Sequence, residues 1–263
     1  MNIAVCVKQV PGHADIRLDE GRWTLARQGV PGRINPQDLE ALEAAFQLRD
    51  THGGCTTVLS MGPPQAEEAL REALAMGADG AVLITDPALA GSDTLATSRA
   101  LSRALIRFDP RPDLILCGSR SSDSDTGQVG PQIAEELGLP YAGYALEMEI
   151  KQDGLYVLRR LDRHLQRLRM STPAVVSVLR SPRKPREIPL GAIREAFDSK
   201  KCQVLGLQDL GLRPQEVGLK GSATVVRGIS ESGSKRAGRL LILPPHLAVG
   251  TIMECLREHH LIT

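Results

Sequence analysis

The sequence has few aromatic residues and no clustered cysteines. Phe, Trp and Tyr make up 3% of its 263 residues, a content that disfavours aromatic stacking platforms for single-stranded nucleic acid. The five cysteines form no Cys-x-x-Cys pair and have no histidine at ligand spacing, so we predict neither a metal site nor a disulfide framework. Most of them are expected to be small buried side chains; they are Cys6, Cys55, Cys117, Cys202 and Cys255.

An excess of one charge and long apolar runs are also missing. Lys and Arg number 32 against 31 Asp and Glu, a formal net charge of +1, so no global field attracts nucleic acid or an anionic membrane. No apolar run is long enough to span a bilayer, and the first residues lack the basic and apolar regions of a signal peptide. With the scattered cysteines, these absences predict a cytoplasmic protein that neither binds nucleic acid nor inserts into a membrane.

Short apolar runs alternate with amphipathic segments through the first two thirds of the chain. Predicted strands cover residues 2–7, 56–61, 81–84, 114–117 and 174–179. Predicted helices begin at Asn35-Pro36, where Asn35 is the expected cap, and cover residues 65–76, 94–108 and 128–137. This alternation predicts a Rossmann-like α/β fold, with a mostly parallel sheet and helices on both faces.

Three regions depart from the alternation of strands and helices. Residues 146–150, 156–161 and 165–170 are polar and predict a small antiparallel excursion, while residues 17–23 predict a hairpin that turns at Gly21. From about Phe197 the chain is weakly periodic, apart from a helix at residues 248–258. We therefore predict an α/β domain over residues 1–193 and a C-terminal arm over residues 194–263.

The polar, glycine-containing run at residues 118–131 is the sharpest functional signal. It follows a predicted buried strand and opens a helix, and open parallel sheets bind ligands at the carboxyl ends of their strands. Free backbone amides and the positive end of a helix dipole suit phosphate, and Gly127 and Gly130 allow the backbone to approach closely. The run matches neither a Walker A loop nor a Gly-x-Gly-x-x-Gly turn, and a polar helix cap without a ligand is the alternative interpretation.

Other polar residues follow strands at the same predicted edge of the sheet. They are Lys8, Asn35-Pro36 and the helix start at residues 93–98, where Asp93 is a candidate cap. Each alone is typical of a capping motif, and only their convergence on one edge favours a binding site. The sequence shows no catalytic set, since Asp123 and Asp125 lack the spacing that would fix two acids on a substrate. Hydrogen bonding to backbone or ribose is their expected role.

A series of longer motifs runs in order through residues 5–176. They are Val5-Cys6-Val7-Lys8-Gln9-Val10-Pro11, Asn35-Pro36, Ala41-Leu42-Glu43, Met61-Gly62-Pro63-Pro64, Ala73-Leu74-Ala75-Met76-Gly77-Ala78-Asp79, residues 93–98, Asp125-Thr126-Gly127-Gln128-Val129-Gly130-Pro131 and Pro173-Ala174-Val175-Val176. Together they resemble the β subunit of electron transfer flavoproteins, including its nitrogen-fixation and carnitine-operon homologues, over most of residues 1–179. The run at residues 125–131 is the most specific of them.

The resemblance implies a heterodimer in which an α subunit carries an FAD that passes electrons on. The β subunit would supply a nucleotide site and an arm that clasps the α subunit. In simple members this site holds structural AMP, and in electron-bifurcating members it holds a second FAD, which takes a hydride from NADH and splits the electron pair. Carried over by motif, the cofactor-binding residues are Cys6, Lys8, Asn35, Pro36, Asp38, Met61, Thr94, Thr97, Ser122, Asp123, Asp125, Thr126, Gly127, Gln128, Val129 and Gly130.

Two segments favour FAD over AMP at this site. Residues 7–11 and 93–98 resemble the electron-bifurcating branch, so we predict an FAD-binding β subunit that shuttles electrons from NADH or a dehydrogenase to redox partners. A simple subunit that holds structural AMP and has no redox role of its own is the main alternative. A stand-alone adenine-nucleotide hydrolase or sensor is a third interpretation.

The segment at residues 184–197 departs from the family. There, the corresponding loop recognises acyl-CoA dehydrogenases through a Leu, which would be Leu190 in this chain, and precedes a Lys-rich helix. Here the Tyr of that loop is missing and the following helix is less basic. The resemblance thus implies a partner site at Leu190 for an acyl-CoA dehydrogenase or another redox enzyme, with the identity of that enzyme open.

Overall fold

The computed structural model describes residues 1–12, 18–19, 24–25, 32–182, 184–198, 202–228, 238 and 240–262. The chain divides into two compact units, Met1–Arg227 and Gly228–Thr263. The strands of the first unit are, in chain order, β1 (Asn2–Cys6), β2 (Gln9–Pro11), β3 (Leu18–Asp19), β4 (Thr24–Leu25), β5 (Gly32–Ile34), β6 (Cys55–Met61), β7 (Gly80–Ile84), β8 (Leu114–Gly118), β9 (Tyr141–Lys151), β10 (Gly154–Leu161), β11 (His164–Met170), β12 (Ala174–Val178) and β13 (Cys202–Leu205).

Helices connect most of these strands. They are α1 (Pro36–His52), α2 (Glu67–Met76), α3 (Thr94–Leu105), α4 (Val129–Leu137), α5 (Leu190–Asp198) and α6 (Gly218–Gly221), with short 3₁₀ turns at Pro64–Ala66 and Pro87–Leu89. Proline at the first position fixes the start of α1, and Gly138, in the left-handed conformation, ends α4. Among the described residues, no helix combines the length and apolarity needed to cross a lipid bilayer.

Nine strands form one sheet in the order β11-β10-β9-β12-β8-β1-β6-β7-β13. β10 pairs antiparallel with β9 and β11, and the other neighbours in the sheet are parallel. The mostly parallel α/β fold predicted from the sequence is therefore confirmed. A separate ladder joins β3 and β4, in agreement with the predicted hairpin, whose turn at Gly21 lies outside the described residues.

Buried apolar side chains fill both faces of the sheet. Phe46 of α1 and Leu70 of α2 are fully buried against one face, and Ala100 of α3 and Ile133 of α4 are fully buried against the other. Burial of one Leu or Phe side chain contributes about 1.5–3 kcal/mol. The central strands β1 and β8 consist of apolar residues in nearly every position because helices cover both of their faces.

β9 joins the parallel part of the sheet to the antiparallel part. Its first residues pair in parallel with β12, and its later residues pair antiparallel with β10. The predicted antiparallel excursion is confirmed, since the pairing with β10 begins at Ala145, next to the predicted residue 146. The strand itself begins earlier, at Tyr141, and this parallel part was missed because Ala142, Gly143 and Ala145, although buried, are too small to produce a clear apolar pattern.

The chain returns to the sheet after the predicted domain boundary. β13 pairs in parallel with β7, and Leu207, Leu210 and Val217 are buried beyond it. The compact units consequently divide after Arg227, whereas the sequence pattern placed the boundary after residue 193. A strand of four residues at the edge of a sheet is too short to produce a recognisable periodicity.

The second unit contains the helix α7 (Pro245–Glu258), which begins before the predicted residue 248 and ends where predicted. None of its described residues is buried. Its apolar residues Leu247, Val249 and Ile252 are 52%, 59% and 48% exposed. An apolar surface of this kind is a common mark of a protein interface, and the predicted contact between this segment and a partner subunit stays a prediction.

The different burial of Phe46 and Phe197 predicts different costs for removing each side chain. Phe46 is fully buried, and the guanidinium groups of Arg49 and Arg186 lie 5.0 and 4.6 Å from its ring centre. We expect Phe46→Ala to lower the free energy of unfolding by about 3–5 kcal/mol, through the cavity that it leaves. Phe197, which is 56% exposed, is the control, and Phe197→Ala should cost less than about 1 kcal/mol. Urea titrations of both variants measure the difference, and equal losses would contradict this packing.

Candidate functional site

The candidate site is the crevice at the carboxyl ends of β1 and β8. In the sheet, β6 and then β7 follow β1 on one side, whereas β8 is the neighbour of β1 on the other side. Ligands of open α/β sheets bind at such a reversal of strand order. Because these strands are parallel neighbours, the segments that follow Cys6, Met61, Ile84 and Gly118 leave the sheet at the same edge.

A buried carboxylate joins the two strand ends that flank the crevice. Asp38, in the first turn of α1, accepts hydrogen bonds from the backbone amides of Lys8, at 2.8 Å, and Gly118, at 3.0 Å. A Cβ on Gly118 would collide with the Asp38 carboxylate and lie 2.8 Å from the backbone carbon of Gln37. Burial raises the pKa of Asp38 to about 7, although both backbone hydrogen bonds act in the opposite direction.

Asn35 and Gln37 attach the start of α1 to the loop after β8. Asn35 was expected to cap the helix, but its side chain makes no capping hydrogen bond. Instead its Nδ2 donates to the carbonyl of Arg120, at 2.9 Å, and its Oδ1 accepts from the amide of Ser122, at 3.0 Å. Gln37 Oε1 accepts from the Ser119 hydroxyl and from the Arg120 amide, at 2.7 and 2.8 Å. These two side-chain amides thus position the loop after β8, and neither caps α1.

An ion pair links the segment after β1 to the same loop. Lys8 Nζ lies 2.7 Å from Asp123 Oδ1, and the Asp123 side chain is 2% exposed whereas that of Lys8 is 37% exposed. The hydroxyls of Ser121 and Ser124 lie 3.5 and 3.4 Å from the same nitrogen. The carboxylate therefore fixes an ammonium group that still faces solvent beside the loop.

The turn at residues 125–128 presents backbone amides at the start of α4. Asp125 and Gly127 have positive φ angles of 49° and 63°, which reverse the chain tightly. Within the described part of the chain, the amides of Thr126, Gly127 and Gln128 donate to no protein acceptor. Next to the positive end of a helix dipole, such a row of donors matches the charge and size of a phosphate group.

The start of α3 is joined to this turn and to a later segment. Thr94 Oγ1 donates to Gln128 Oε1 at 3.0 Å, which places the two predicted helix starts side by side. Asp93 caps α3 through the amide of Ala96, as predicted, at 3.0 Å. The other oxygen of its carboxylate accepts from the amide and the hydroxyl of Thr224, at 2.9 and 3.0 Å. The segment at residues 218–224 therefore covers the start of α3, a contact that no local sequence pattern indicates.

The structure places the remaining predicted residues in different surroundings. Cys6 is buried, and burial raises the pKa of its thiol well above the usual value, so that a thiolate is disfavoured. Met61 ends β6 and Thr97 lies one turn into α3, and neither side chain is hydrogen-bonded to the network among the described residues. Leu190 is the first residue of α5, the helix that packs on α2, and is 85% exposed.

Three more predicted residues lie at the starts of two helices. Pro36 is exposed at the first position of α1, Val129 is the first residue of α4, and Gly130 follows it. A Cβ on Gly130 would lie 2.9 Å from the sulfur of Cys117, so this glycine allows α4 to lie against β8. Sequence reasoning gave no role to the contact between Gln37 and Ser119, because it joins residues far apart in the chain.

Two cavities of about 410 Å³ lie outside the crevice. One is next to the end of α1 and the edge of β9, with Asp50, His52 and Glu149 in its wall, and the other lies beside Arg71 and Phe197. Neither is lined by Lys8, by Asp38 or by the turn at residues 125–128. The chemistry of the strand ends therefore identifies the crevice as the candidate site.

Comparison with known proteins gives consistent matches along the chain. Residues 22–204 match the protein family described as Electron transfer flavoprotein domain. The chain is 44% identical over 262 residues to the electron transfer flavoprotein subunit beta of Thermoanaerobacterium thermosaccharolyticum, with 100% of each chain covered. It is 36% identical over 264 residues to the caffeyl-CoA reductase-Etf complex subunit CarD of Acetobacterium woodii, again with 100% of each covered. FixA of Azorhizobium caulinodans is 43% identical over 238 residues, 87% of this chain and 84% of FixA.

The pKa of Asp38 predicts a pH dependence of stability. Because the folded protein holds this proton up to pH about 7 and the unfolded chain releases it near pH 3.8, the contribution of Asp38 to stability is complete below pH 3.8 and is lost as the pH rises through 7. The loss is on the order of 4 kcal/mol. The free energy of unfolding of the wild type, measured against Asp38→Asn, should therefore fall between pH 4 and pH 8.

Asp162→Asn, at an exposed hairpin turn, is the control for this titration. Its stability should follow that of the wild type across the same pH range. Parallel curves for the wild type and Asp38→Asn, measured by urea unfolding at each pH, would contradict the assignment.

Proposed function

Because the chain belongs to the electron transfer flavoprotein β-subunit family, we propose that its crevice binds FAD. With the α subunit of the family, which carries a further FAD, the chain then shuttles electrons from NADH or a dehydrogenase to redox partners. The observation that carries this proposal is the row of amides at Thr126, Gly127 and Gln128, which have no protein acceptor among the described residues. The preceding part of the same loop holds the ammonium group of Lys8, through Asp123. These groups fit the diphosphate that joins the two halves of FAD.

The side chains of the crevice act by binding and orienting the nucleotide. When bound, FAD itself supplies the hydride and electron chemistry, and the protein sets its position and electrostatic surroundings. Asp38 and Asn35 hold the ends of β1 and β8 and the loop between Ser119 and Ser122 in one arrangement. No side-chain acid or base is required for this role.

One observation supports FAD rather than AMP. Thr94 belongs to the segment at residues 93–98 that resembles the electron-bifurcating branch, and its hydroxyl contacts Gln128 of the proposed diphosphate turn. Among the relatives, CarD is named as a subunit of a caffeyl-CoA reductase-Etf complex, which supports a role in a redox complex and does not distinguish the two nucleotides. A β subunit that holds structural AMP is the alternative, and the same amide row accommodates its phosphate.

Exposed apolar residues support the proposal that this chain binds an α subunit and a redox enzyme. Leu247, Val249 and Ile252 of α7 lie uncovered in the second unit, as expected of a segment that contacts the α subunit. Leu190 projects from the start of α5 with 85% of its surface exposed. It supports the proposed docking of an acyl-CoA dehydrogenase or another redox enzyme at this position.

The nucleotide content of the heterodimer tests the proposal directly. The chain is co-expressed with its α subunit, the complex is purified, and the released nucleotides are separated and counted against protein. Two FAD per heterodimer are expected. One FAD and one AMP would contradict FAD binding in the β subunit, and one FAD without any second nucleotide would contradict a nucleotide site in the crevice.

A matched pair of glycines tests where the nucleotide binds. Gly127 and Gly138 both have a φ of +63°, so an alanine costs each position about 1–2 kcal/mol of backbone strain. A Cβ on Gly127 would also lie 3.1 Å from the carbonyl oxygen of Ser119, whereas a Cβ on Gly138 has no atom within 4 Å. We expect Gly127→Ala to weaken nucleotide binding about tenfold or more, because the turn must shift.

Gly138→Ala is the control, since it carries the same strain at the far end of α4. It should lose a similar amount of stability and keep its nucleotide. Equal affinity in the two variants, measured by titration of the nucleotide-depleted heterodimer, would place the bound nucleotide elsewhere.

A further inference from the structure

Tyr144 has a backbone conformation that aromatic residues rarely adopt. Its φ is +60°, in the left-handed region, where a side chain with a Cβ crowds the backbone and bulky residues are outliers. The other described residues with positive φ, apart from glycines, are Asp125, Asp162 and His260, which belong to types that tolerate this region better. Strain of this kind persists where the surrounding structure imposes it, and it is concentrated at functional sites.

The surroundings of Tyr144 impose this conformation. Ser177 of β12, which is 3% exposed, accepts a hydrogen bond from the Tyr144 amide at 3.3 Å and shares another with the Tyr141 hydroxyl at 2.8 Å. The pairing between β9 and β12 shifts register at this point, between Val176 and Val178. The backbone of Tyr144 is therefore fixed from the neighbouring strand, and its side chain leaves the sheet in a fixed direction.

That direction brings the side chain to the proposed diphosphate turn. A Cβ placed on Gly127 would lie 4.0 Å from the Tyr144 hydroxyl oxygen, so the phenol borders the row of backbone amides. The residue is nevertheless 42% exposed, and the turn does not cover it.

The Tyr144 hydroxyl also differs from those of the other tyrosines. The chain contains three. The hydroxyl of Tyr141 pairs with Ser177 at 2.8 Å, and that of Tyr156 donates to Asp153 at 2.7 Å. Within the described residues, the Tyr144 hydroxyl has no hydrogen-bond partner. A strained backbone thus holds an unpaired donor at the edge of the anion-binding turn.

We propose that Tyr144 is a further binding residue of the crevice, whose hydroxyl donates a hydrogen bond to the diphosphate of an adenine-containing nucleotide held at residues 126–128. This inference rests on the proposed function, because it requires a nucleotide at that turn. It adds a side-chain donor from β9 to the backbone donors at the start of α4, so that the anion is bound from two elements of the fold.

The first test removes the hydroxyl and keeps the ring. The heterodimer is purified with its α subunit, depleted of the nucleotide in the β subunit, and titrated with ADP and with adenosine. Tyr144→Phe should weaken ADP binding about tenfold, the effect expected for loss of one hydrogen bond to a charged group. Adenosine lacks phosphate, and its affinity should not change. Tyr156→Phe, which removes the hydroxyl of a tyrosine on β10, is the control and should bind both ligands within about twofold of the wild type.

The second test separates binding from backbone strain. Tyr144→Gly removes the side chain and also the strain, so we expect a thermal midpoint within about 3 °C of the wild type and ADP binding at least as weak as in Tyr144→Phe. Asp162→Gly relieves the same kind of strain at the turn between β10 and β11, with φ 49° in the wild type, and should keep full ADP affinity.

The outcomes distinguish this inference from the proposed function. If the wild type binds ADP and both Tyr144 variants bind ADP as tightly as the wild type, the inference is wrong and the proposed function stands. A loss of α-subunit association in those variants would then assign Tyr144 to the subunit interface. If the wild type binds no ADP, the nucleotide site itself is wrong and the inference fails with it. Equal weakening for ADP and adenosine would also overturn a contact with the diphosphate.

Discussion

The carboxylate of Asp38 is the interaction on which the rest of the site depends. It bridges the backbone amides of Lys8 and Gly118, and so it sets the distance between two parallel strands at the point where they leave the sheet. A buried carboxylate is unfavourable unless hydrogen-bond donors surround it, which is why burial raises its pKa to about 7. The two backbone donors offset part of that cost. Because the same carboxylate binds both backbone amides, it fixes the positions from which the loops after β1 and β8 begin.

The other polar side chains of α1 extend this constraint into the loop. Asn35 and Gln37 bind the backbone and side chain of residues 119–122, and Asp123 then pairs with Lys8. Each of these side chains is hydrogen-bonded or ion-paired to another group of the protein, so none is available as a catalytic acid or base. The groups that remain open to a ligand are backbone amides and exposed hydroxyls, near the partly exposed ammonium of Lys8. Under the proposed function, a site built this way recognises the negative charge and the shape of a cofactor that supplies its own chemistry.

Local patterns predicted the secondary structure better than the side-chain contacts of the site. The strands ending at Cys6, Met61 and Gly118 and the cap at Asp93 have signals within a few residues of themselves, and the structure contains them. Asn35 shows where such signals fail, because the residue type and position are those of a cap, yet its partners lie in a loop 85 residues away. The cover over α3 at residues 218–224 and the strained Tyr144 were missed for the same reason. Both depend on neighbours that only the folded sheet brings together.

Under the proposed function, the same geometry explains how one fold holds two different nucleotides. AMP and FAD share adenosine and phosphate, so the amides at residues 126–128 and the Lys8 ammonium attract both and distinguish neither. Discrimination must come from groups that the longer ligand reaches and the shorter one does not. The start of α3 is the element beside the turn, where Thr94 contacts Gln128 and Thr224 covers Asp93. A change of few residues there would alter which nucleotide is retained while the Asp38 bridge, and hence the fold of the crevice, stayed the same.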